Sequence, residues 1–437
     1  SFYSYTPLAD ITQSGDGNCL HNIYRDSRGT MWMGGTDGLL RYDNSNGIYD
    51  NMSWLRQNSS KTPLSHNRIR SVYEDADGDI WVATDHGINW YDRKSGQFRN
   101  FIISDKTGRY STAWAYDLVL DSRKRLWIAA YMGGVFVIDK RRLLYSHGTV
   151  IADHHIADGK GKLSNIHVGQ LNVDAKGNIW ALVYGSGMAC INPVTFKVRT
   201  VMPQRNISYV VADSHGRIWA GYDGGVTIIN PNTGKTTDHD FTDGFTSDRV
   251  VSMVDAGGQI WALGGQTCRI INMNGSDRHF RIPGITALTA SYSPRDRMVY
   301  IGGNDGFVSV APSVFSGKVN THKLMLTSLL VNGNQYVNEK CDIRFADEVN
   351  LKYNENNISF RLSDLPYDNS PQSIYLYKLE GSDNDWRYLD SRNGEIQYNA
   401  LEYGNYRLLV KNIDNTSDDA FVYSLDVRIS PPWYLSI

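Results

Sequence analysis

A seven-residue phrase recurs along this chain: DSRGTMW from Asp26, DADGDIW from Asp75, DAKGNIW from Asp174, DSHGRIW from Asp213 and DAGGQIW from Asp255. A sixth copy, DSRKRLW from Asp121, lacks the glycine. The closing tryptophans fall at 32, 81, 127, 180, 219 and 261, and a seventh, degenerate copy ends at Tyr300 in MVYIGGNDGFVSV. Each copy extends both ways. Upstream stands a strand-like segment such as IRSVYED or GQLNVD; downstream come a glycine turn and a second strand ending in Asp or Asn, as in TDGLLRYD, TDHGINWYD and YDGGVTIIN. A further turn and often a further strand follow. Four short strands in roughly 45 residues, repeated without helical periodicity, predict the blades of a β-propeller.

The phrase has a physical logic. Asp caps a tight turn through its own side chain and Gly tolerates positive φ, so the first half reads as the hairpin between two strands. The Ile/Leu-Trp pair then opens the second strand, where alternate side chains point to opposite faces. A blade packs on a neighbour at each face, so both faces must be apolar. One buried Trp removes roughly 150–250 Å² from water, or about 4–6 kcal/mol gross at ~25 cal/mol/Å². The motif tryptophans therefore read as packing residues.

The seventh unit lacks an outer strand, because GFVSVAP runs directly into KLMLTSLLVNG. The chain begins with SFYSYTPL, a strand with no hairpin partner ahead of Asp26. Residues 1–8 are expected to complete the seventh blade, closing the ring and removing its open edge. The expectation is a seven-bladed propeller over residues 1–316. From 320 to 437 longer alternating runs take over (LMLTSLLV, ISFRLS, SIYLYKLEG, NYRLLVKNI, FVYSLDVRIS) and predict an antiparallel sandwich of seven to eight strands.

A formal net charge of −2 leaves no basic excess to neutralise phosphates, which argues against nucleic acid or an anionic membrane surface as partner. Cys19, Cys190, Cys268 and Cys341 are far apart and form neither a disulfide framework nor a zinc spacing. No membrane-length apolar run is present.

No catalytic constellation emerges. GxSxG, HExxH and P-loop motifs are absent, and the Asp-to-Trp stretch is one residue longer than that of the SxDxGxTW box of sialidase-type propellers. DADGDIW, with Asp75, Asp77 and Asp79, is compared with a calcium loop. Its glycine comes too early and the distal Glu is missing, so a solvated turn is expected. His154 and His155, adjacent on an extended segment, point opposite ways and make a poor chelate; His167 follows on the next strand. Neither metal nor cofactor is expected.

What remains is a binding surface. In a propeller of this strand order, the turns after the Trp strand and the links between blades share one face. That face carries His66, Arg68, His86, Tyr110, Trp114, Tyr131, His155, His167, Tyr184, Tyr222, Asp223, Arg249, Gln266 and Asp305. Aromatic rings stack on sugar CH surfaces, and Arg, Asp and Gln add directional hydrogen bonds. The basic members would suit an acidic or sulfated saccharide.

The repeated D-x-x-G-x-[IL]-W-[IVA]-[AG] phrase resembles the two-component regulator propeller repeat. The tail, with Tyr377 in YKLEG, Trp386, Tyr398 in QYNAL, Tyr406 in YGNYRLLV and the closing RISPPW, resembles the immunoglobulin-like YYY domain that follows such repeats. Together they resemble the periplasmic sensor region of hybrid two-component systems from glycan-degrading bacteria. The resemblance implies a periplasmic domain of an inner-membrane protein, attached to a transmembrane helix just after PPW. It implies an oligosaccharide ligand, a homodimer formed through the YYY domain, and an intracellular histidine kinase that controls glycan-utilisation genes. The family tyrosines are expected to pack the sandwich. The family usually carries two seven-bladed propellers where this chain has one, so part of a site formed between propellers could lie on another. Two other functions compete: a glycan-cleaving propeller enzyme, which needs paired acids in one pocket, and a protein-interaction scaffold with a flat polar face.

Overall fold

Each copy of the phrase forms the tight turn between the two inner strands of an antiparallel sheet. The computed structural model describes residues 2–5, 18–43, 52–55, 57, 64–241, 249–319, 323–337, 341–363, 373–389, 394–415, 417 and 420–435. The chain divides into two units, Phe2–Ile271 with Ile282–Pro312, and Asn272–Arg281 with Ser313–Ile437.

The first unit is the propeller. Its blades begin with the innermost strands Leu20–Arg25, Ile69–Glu74, Ala115–Leu120, Val168–Val173, Ile207–Ala212, Ser252–Asp255 and Ala287–Ser293. The second strands, including Thr30–Gly35, Ile80–Thr84 and Arg125–Ala130, are almost wholly buried. Tyr3–Tyr5 pairs antiparallel with Gly306–Val310, Tyr3 opposite Ser309, and supplies the seventh blade's outer strand; residues 6–8 lie outside the described residues. Between the seventh and first blades, Arg25 Nε lies 3.0 Å from Asp296 Oδ2, and Arg295 Nη1 donates to Ser27 O at 3.0 Å.

The six motif tryptophans are all buried. Trp81 packs with third-blade residues such as Leu118 and Ile128, whereas Ile80 and Val82 pack with Trp32 and Leu39 of the first blade. One strand thus feeds two interfaces, as the alternation predicts.

The Asp does more than cap. In the first blade Asp26 Oδ1 accepts from the amides of Arg28 (3.0 Å) and Thr30 (2.9 Å), while Oδ2 accepts from Trp32 Nε1 at 2.9 Å. The same carboxylate-to-indole bond joins Asp75 to Trp81, Asp121 to Trp127, Asp174 to Trp180 and Asp213 to Trp219, at 2.8–2.9 Å. Asp255 departs: its Oδ2 accepts from Ser214 N of the preceding blade at 2.7 Å. In the copy without glycine, Lys124 takes the left-handed turn position at φ 62°, where Gly29 has φ 93° and Gly78 φ 82°.

The turn at Asp75, Asp77 and Asp79 is not merely solvated, as the sequence led us to expect. Lys140 Nζ lies 2.7 Å from Asp75 Oδ2, 2.9 Å from Asp77 Oδ2 and 2.6 Å from Asp79 Oδ2, and it is buried. A lysine from the third blade stands where a cation would. It opens a five-residue helix, Lys140–Leu144, capped by Asp139, which the strand-only reading missed. This insertion defers the third blade's outer strand to His154–Ile156 and explains that blade's greater length.

The second unit includes two sheets. One orders Asn334–Gln335, Met325–Val331, Ile358–Ser363 and Glu395–Tyr398; the other orders Glu348–Leu351, Tyr423–Ile429, Gly404–Asn412, Tyr375–Glu380 and Arg387–Tyr388. Leu326, Leu329, Phe360, Leu379, Leu408 and Leu425 belong to one buried core. The antiparallel expectation fails at one pair: Glu348–Leu351 runs parallel to Tyr423–Ile429. Tyr398 is buried and its hydroxyl donates to Asp383; Tyr377 meets it edge-on at 6.5 Å. Tyr406 OH donates to Glu402 O at 2.8 Å, and Trp386 stacks on Phe421. These signature aromatics are packing and corner residues.

Candidate ligand-binding site

Six innermost strands of the propeller slip by one residue against their neighbours, between Leu20 and Asn22, Ile69 and Ser71, Ala115 and Asp117, Val168 and Gln170, Ile207 and Tyr209, and Ala287 and Thr289. The residues left out of the ladder are His21, Arg70, Tyr116, Gly169, Ser208 and Leu288. A bulge bends its strand and re-aims the extra side chain. All but Ser208 line a central cavity of about 280 Å³.

At four of the bulges the residue that follows ties its blade to the next. Asn22 Nδ2 donates to Ile69 O at 3.1 Å, and Ser71 Oγ to Asp117 Oδ1 at 2.9 Å. Asp117 Oδ2 accepts from Leu171 N, and Gln170 Oε1 from Val210 N, both at 2.9 Å. Asp117 faces the cavity, and burial pushes its carboxyl up to about 6 against the pull of these donors.

The mouth of the cavity is built where the turn after the second strand meets the segment entering the first. Asp85 N donates to Arg68 O (3.3 Å), Tyr131 N to Trp114 O (2.9 Å) and Tyr184 N to His167 O (2.9 Å). These contacts gather an aromatic platform. Tyr116 and Tyr131 stack with ring centres 5.1 Å apart; Tyr131 lies 4.9 Å from His167, 6.0 Å from Trp114 and 6.1 Å from Tyr184. Tyr184 leans over Gly169, where a Cβ would come 2.3 Å from its hydroxyl. Trp114 and Tyr184 are 46% and 38% exposed, so their ring surfaces stay open.

The platform has a cationic side. Arg70 makes a two-pronged ion pair with Asp85, Nε to Oδ1 at 2.6 Å and Nη2 to Oδ2 at 3.1 Å, and its guanidinium lies 4.4 Å from the Tyr116 ring centre. Burial, then repulsion from Arg70, lowers the pKa of Arg68. Burial, then Arg68 and Arg70, lowers that of His21. Burial and the neighbouring Tyr116 raise the Tyr184 hydroxyl, which Arg249 counteracts from nearby.

Of the fourteen residues expected on the face, Trp114, Tyr131, His167, Tyr184, Arg68 and Arg249 come together here. Others do not. Tyr222 is buried beneath Arg205, whose guanidinium lies 4.2 Å from its ring centre, because the strand end turns it inward between blade edges. His155 donates to Gly133 O at 2.6 Å and stacks on Phe136 beside Tyr110, a separate cluster. His154, pointing the other way, lies on Phe196. His66 Nδ1 accepts from Arg68 N within its own turn. His86, Asp223, Gln266 and Asp305 are exposed, and none of them joins the ring contacts of the platform.

His21, Arg70 and Tyr116 were missed, although a signal existed. The first strands open with the triplets LHN, IRS, AYD, VGQ, ISY and ALT, an apolar residue, a variable one and then usually a hydrogen-bonding one. The variable middle position is the bulge. Among the described residues no cluster of three or more His, Cys, Asp or Glu could hold a metal ion. None of the four cysteines is in a disulfide among the described residues. No helix among the described residues is long and apolar enough to cross a membrane.

Two family models match: two-component regulator propeller over residues 63–86 and Y_Y_Y domain over 366–430. A solved structure described as the extracellular domain of a hybrid two component system from B. thetaiotaomicron is 33% identical at a TM-score of 0.67, and the alignment covers 99% of this chain and 60% of that one. A second such domain from that organism is 18% identical at a TM-score of 0.68, covering 98% and 57%. Histidine kinase P4 of Formosa agariphila is 25% identical over 239 residues, 52% of this chain and 14% of the kinase. The chain therefore spans about three-fifths of these solved domains and a small part of the kinase.

Proposed function

Since the chain joins two-component regulator propeller repeats to a Y_Y_Y domain, as extracellular domains of hybrid two-component systems do, we propose that it senses an oligosaccharide for such a system. The ligand would lie at the mouth of the propeller cavity. One observation carries this reading: Trp114, Tyr116, Tyr131 and Tyr184 form a partly open aromatic platform beside the guanidiniums of Arg68 and Arg70. Sugar rings offer CH faces to such planes and hydroxyls to such donors.

In the whole protein this region would be periplasmic and carried by an inner-membrane helix. Two copies would associate through their Y_Y_Y domains, and ligand would shift the balance between two dimer states. A tenfold difference in affinity between the states supplies about 1.4 kcal/mol of bias to an intracellular histidine kinase controlling glycan-utilisation genes. The region itself binds and does not catalyse.

Calorimetry of this chain against neutral, uronic-acid and sulfated oligosaccharides, with product analysis, tests the reading. Saturable binding without cleavage, weakened at least tenfold by Trp114→Ala or Tyr184→Ala, is expected. Cleavage of the ligand, or binding indifferent to both substitutions, would overturn it.

A further inference from the structure

The second blade sends two arginines toward the cavity mouth, and among the described residues only one meets a carboxylate. Arg70 is held by both carboxylate oxygens of Asp85 and stacked on Tyr116. Arg68, two residues earlier and half-buried, makes no side-chain hydrogen bond or ion pair with any described residue, and its Nε is buried without a partner. Among the described residues the carboxylate that acts on it is Asp85, which is already engaged. Burial, then Arg68 and Arg70, lowers the pKa of His21, and an imidazole supplies no negative charge in either protonation state.

A guanidinium partly withdrawn from water costs free energy unless an anion meets it. Among the described residues that need is unmet, beside an aromatic platform suited to a sugar ring. We propose that Arg68 is the receptor for an anionic substituent, a carboxylate or a sulfate ester, on the bound oligosaccharide. The planar fork of guanidinium donors matches two oxygens of either group. Arg70 acts as a positioning residue: Asp85 holds it in place, and its repulsion leaves Arg68 in need of negative charge. The inference rests on the oligosaccharide reading for the ring, while the anion contact is independent of it.

Two arms separate the claims. In the first, intact chain and the Arg68→Gln variant are titrated with inorganic sulfate and with acetate at constant ionic strength, followed by thermal shift. Stabilisation of the parent chain that is lost in Arg68→Gln supports the anion receptor even if no sugar binds; equal shifts in both overturn it. In the second, both proteins meet a glycan array holding neutral, uronate and sulfated forms of the same oligosaccharide backbones. Uronate and sulfated members should bind at least tenfold better than their neutral counterparts, and Arg68→Gln should erase that difference. Preferred sulfate or preferred uronate tells the two sources apart. Neutral glycans binding as well as charged ones, with Arg68→Gln without effect, would sink the anion receptor but keep the sugar site. Sulfate protection with no glycan bound would do the reverse.

Discussion

The ammonium of Lys140 lies 2.7 Å from the carboxylate of Asp75, a residue of the preceding blade, and binds Asp77 and Asp79 as well. Burial alone would lower its pKa, but hydrogen bonds to Asp75, Asp79 and Asp77 outweigh it and raise the value. A lysine raised in the folded state stabilises below its unfolded pKa, and the contribution is lost only as pH climbs through the folded value, far into alkali. At neutral pH it is fully present. Lys140→Met leaves a buried carboxylate without its cation and is expected to cost about 3 kcal/mol. Urea unfolding at pH 7 checks it.

The carboxylate-to-indole bond predicts a graded series. Asp174→Ala removes the acceptor for Lys176 N, Asn178 N and Trp180 Nε1. A loss of about 2–3 kcal/mol is expected, because a buried indole N–H is left unmet. Asp174→Asn keeps one acceptor and should cost about half as much.

Lys124 invites the opposite change. It occupies a left-handed conformation at φ 62° that sister copies give to glycine. Replacing it with Gly relieves strain of about 1 kcal/mol and gives up an exposed ion pair to Asp77 worth a few tenths. A small net gain in midpoint denaturant concentration is expected for Lys124→Gly.

Asp117 predicts a pH dependence with a definite sign. Its carboxyl is raised from an ordinary 3.8 to about 6 by burial, so the folded protein binds its proton more tightly than the unfolded chain does. This group's contribution to stability therefore falls as pH rises from about 4 to about 6, by on the order of 3 kcal/mol for a shift of two units. Asp117→Asn should flatten that segment of the stability profile while leaving Asp342, an exposed carboxylate held at about 2 by Arg344, untouched.

Gly169→Ala tests the platform without removing any polar group. The added Cβ would meet the Tyr184 hydroxyl at 2.3 Å, so the ring must move away. Affinity for the best oligosaccharide should fall at least fivefold with the melting temperature within a few degrees of the parent.

What the sequence reveals depends on how far apart the partners are. Blade number and the burial of the tryptophans follow from a phrase contained in seven residues, and the closing role of the first strand from the outer strand that the last repeat lacks. Lys140 could not be found that way, since nothing local distinguishes it from any charged residue after a strand; only folding brings it to Asp75. The candidate face was half legible for a related reason. Trp114, Tyr131 and Tyr184 sit in turns whose position the repeat dictates. Arg70 and Tyr116 lie within strands, where alternation assigns them to a blade face until a one-residue slip turns them out.

That slip has a further consequence. Apolar residues on either side, such as Ile69 and Val72, are committed to the interfaces between blades, and Ser71 to the stitch onto Asp117. Five of the six slipped residues are committed to neither and line the cavity; Ser208 instead donates to Val250 O of the next blade at 2.6 Å. Histidine, arginine, tyrosine, glycine, serine and leucine occupy the six equivalent places here without altering the frame. Under the proposed function the ring is a lock with five interchangeable pins: what it recognises can be re-keyed one blade at a time, while the barrel that holds the pins stays as it is.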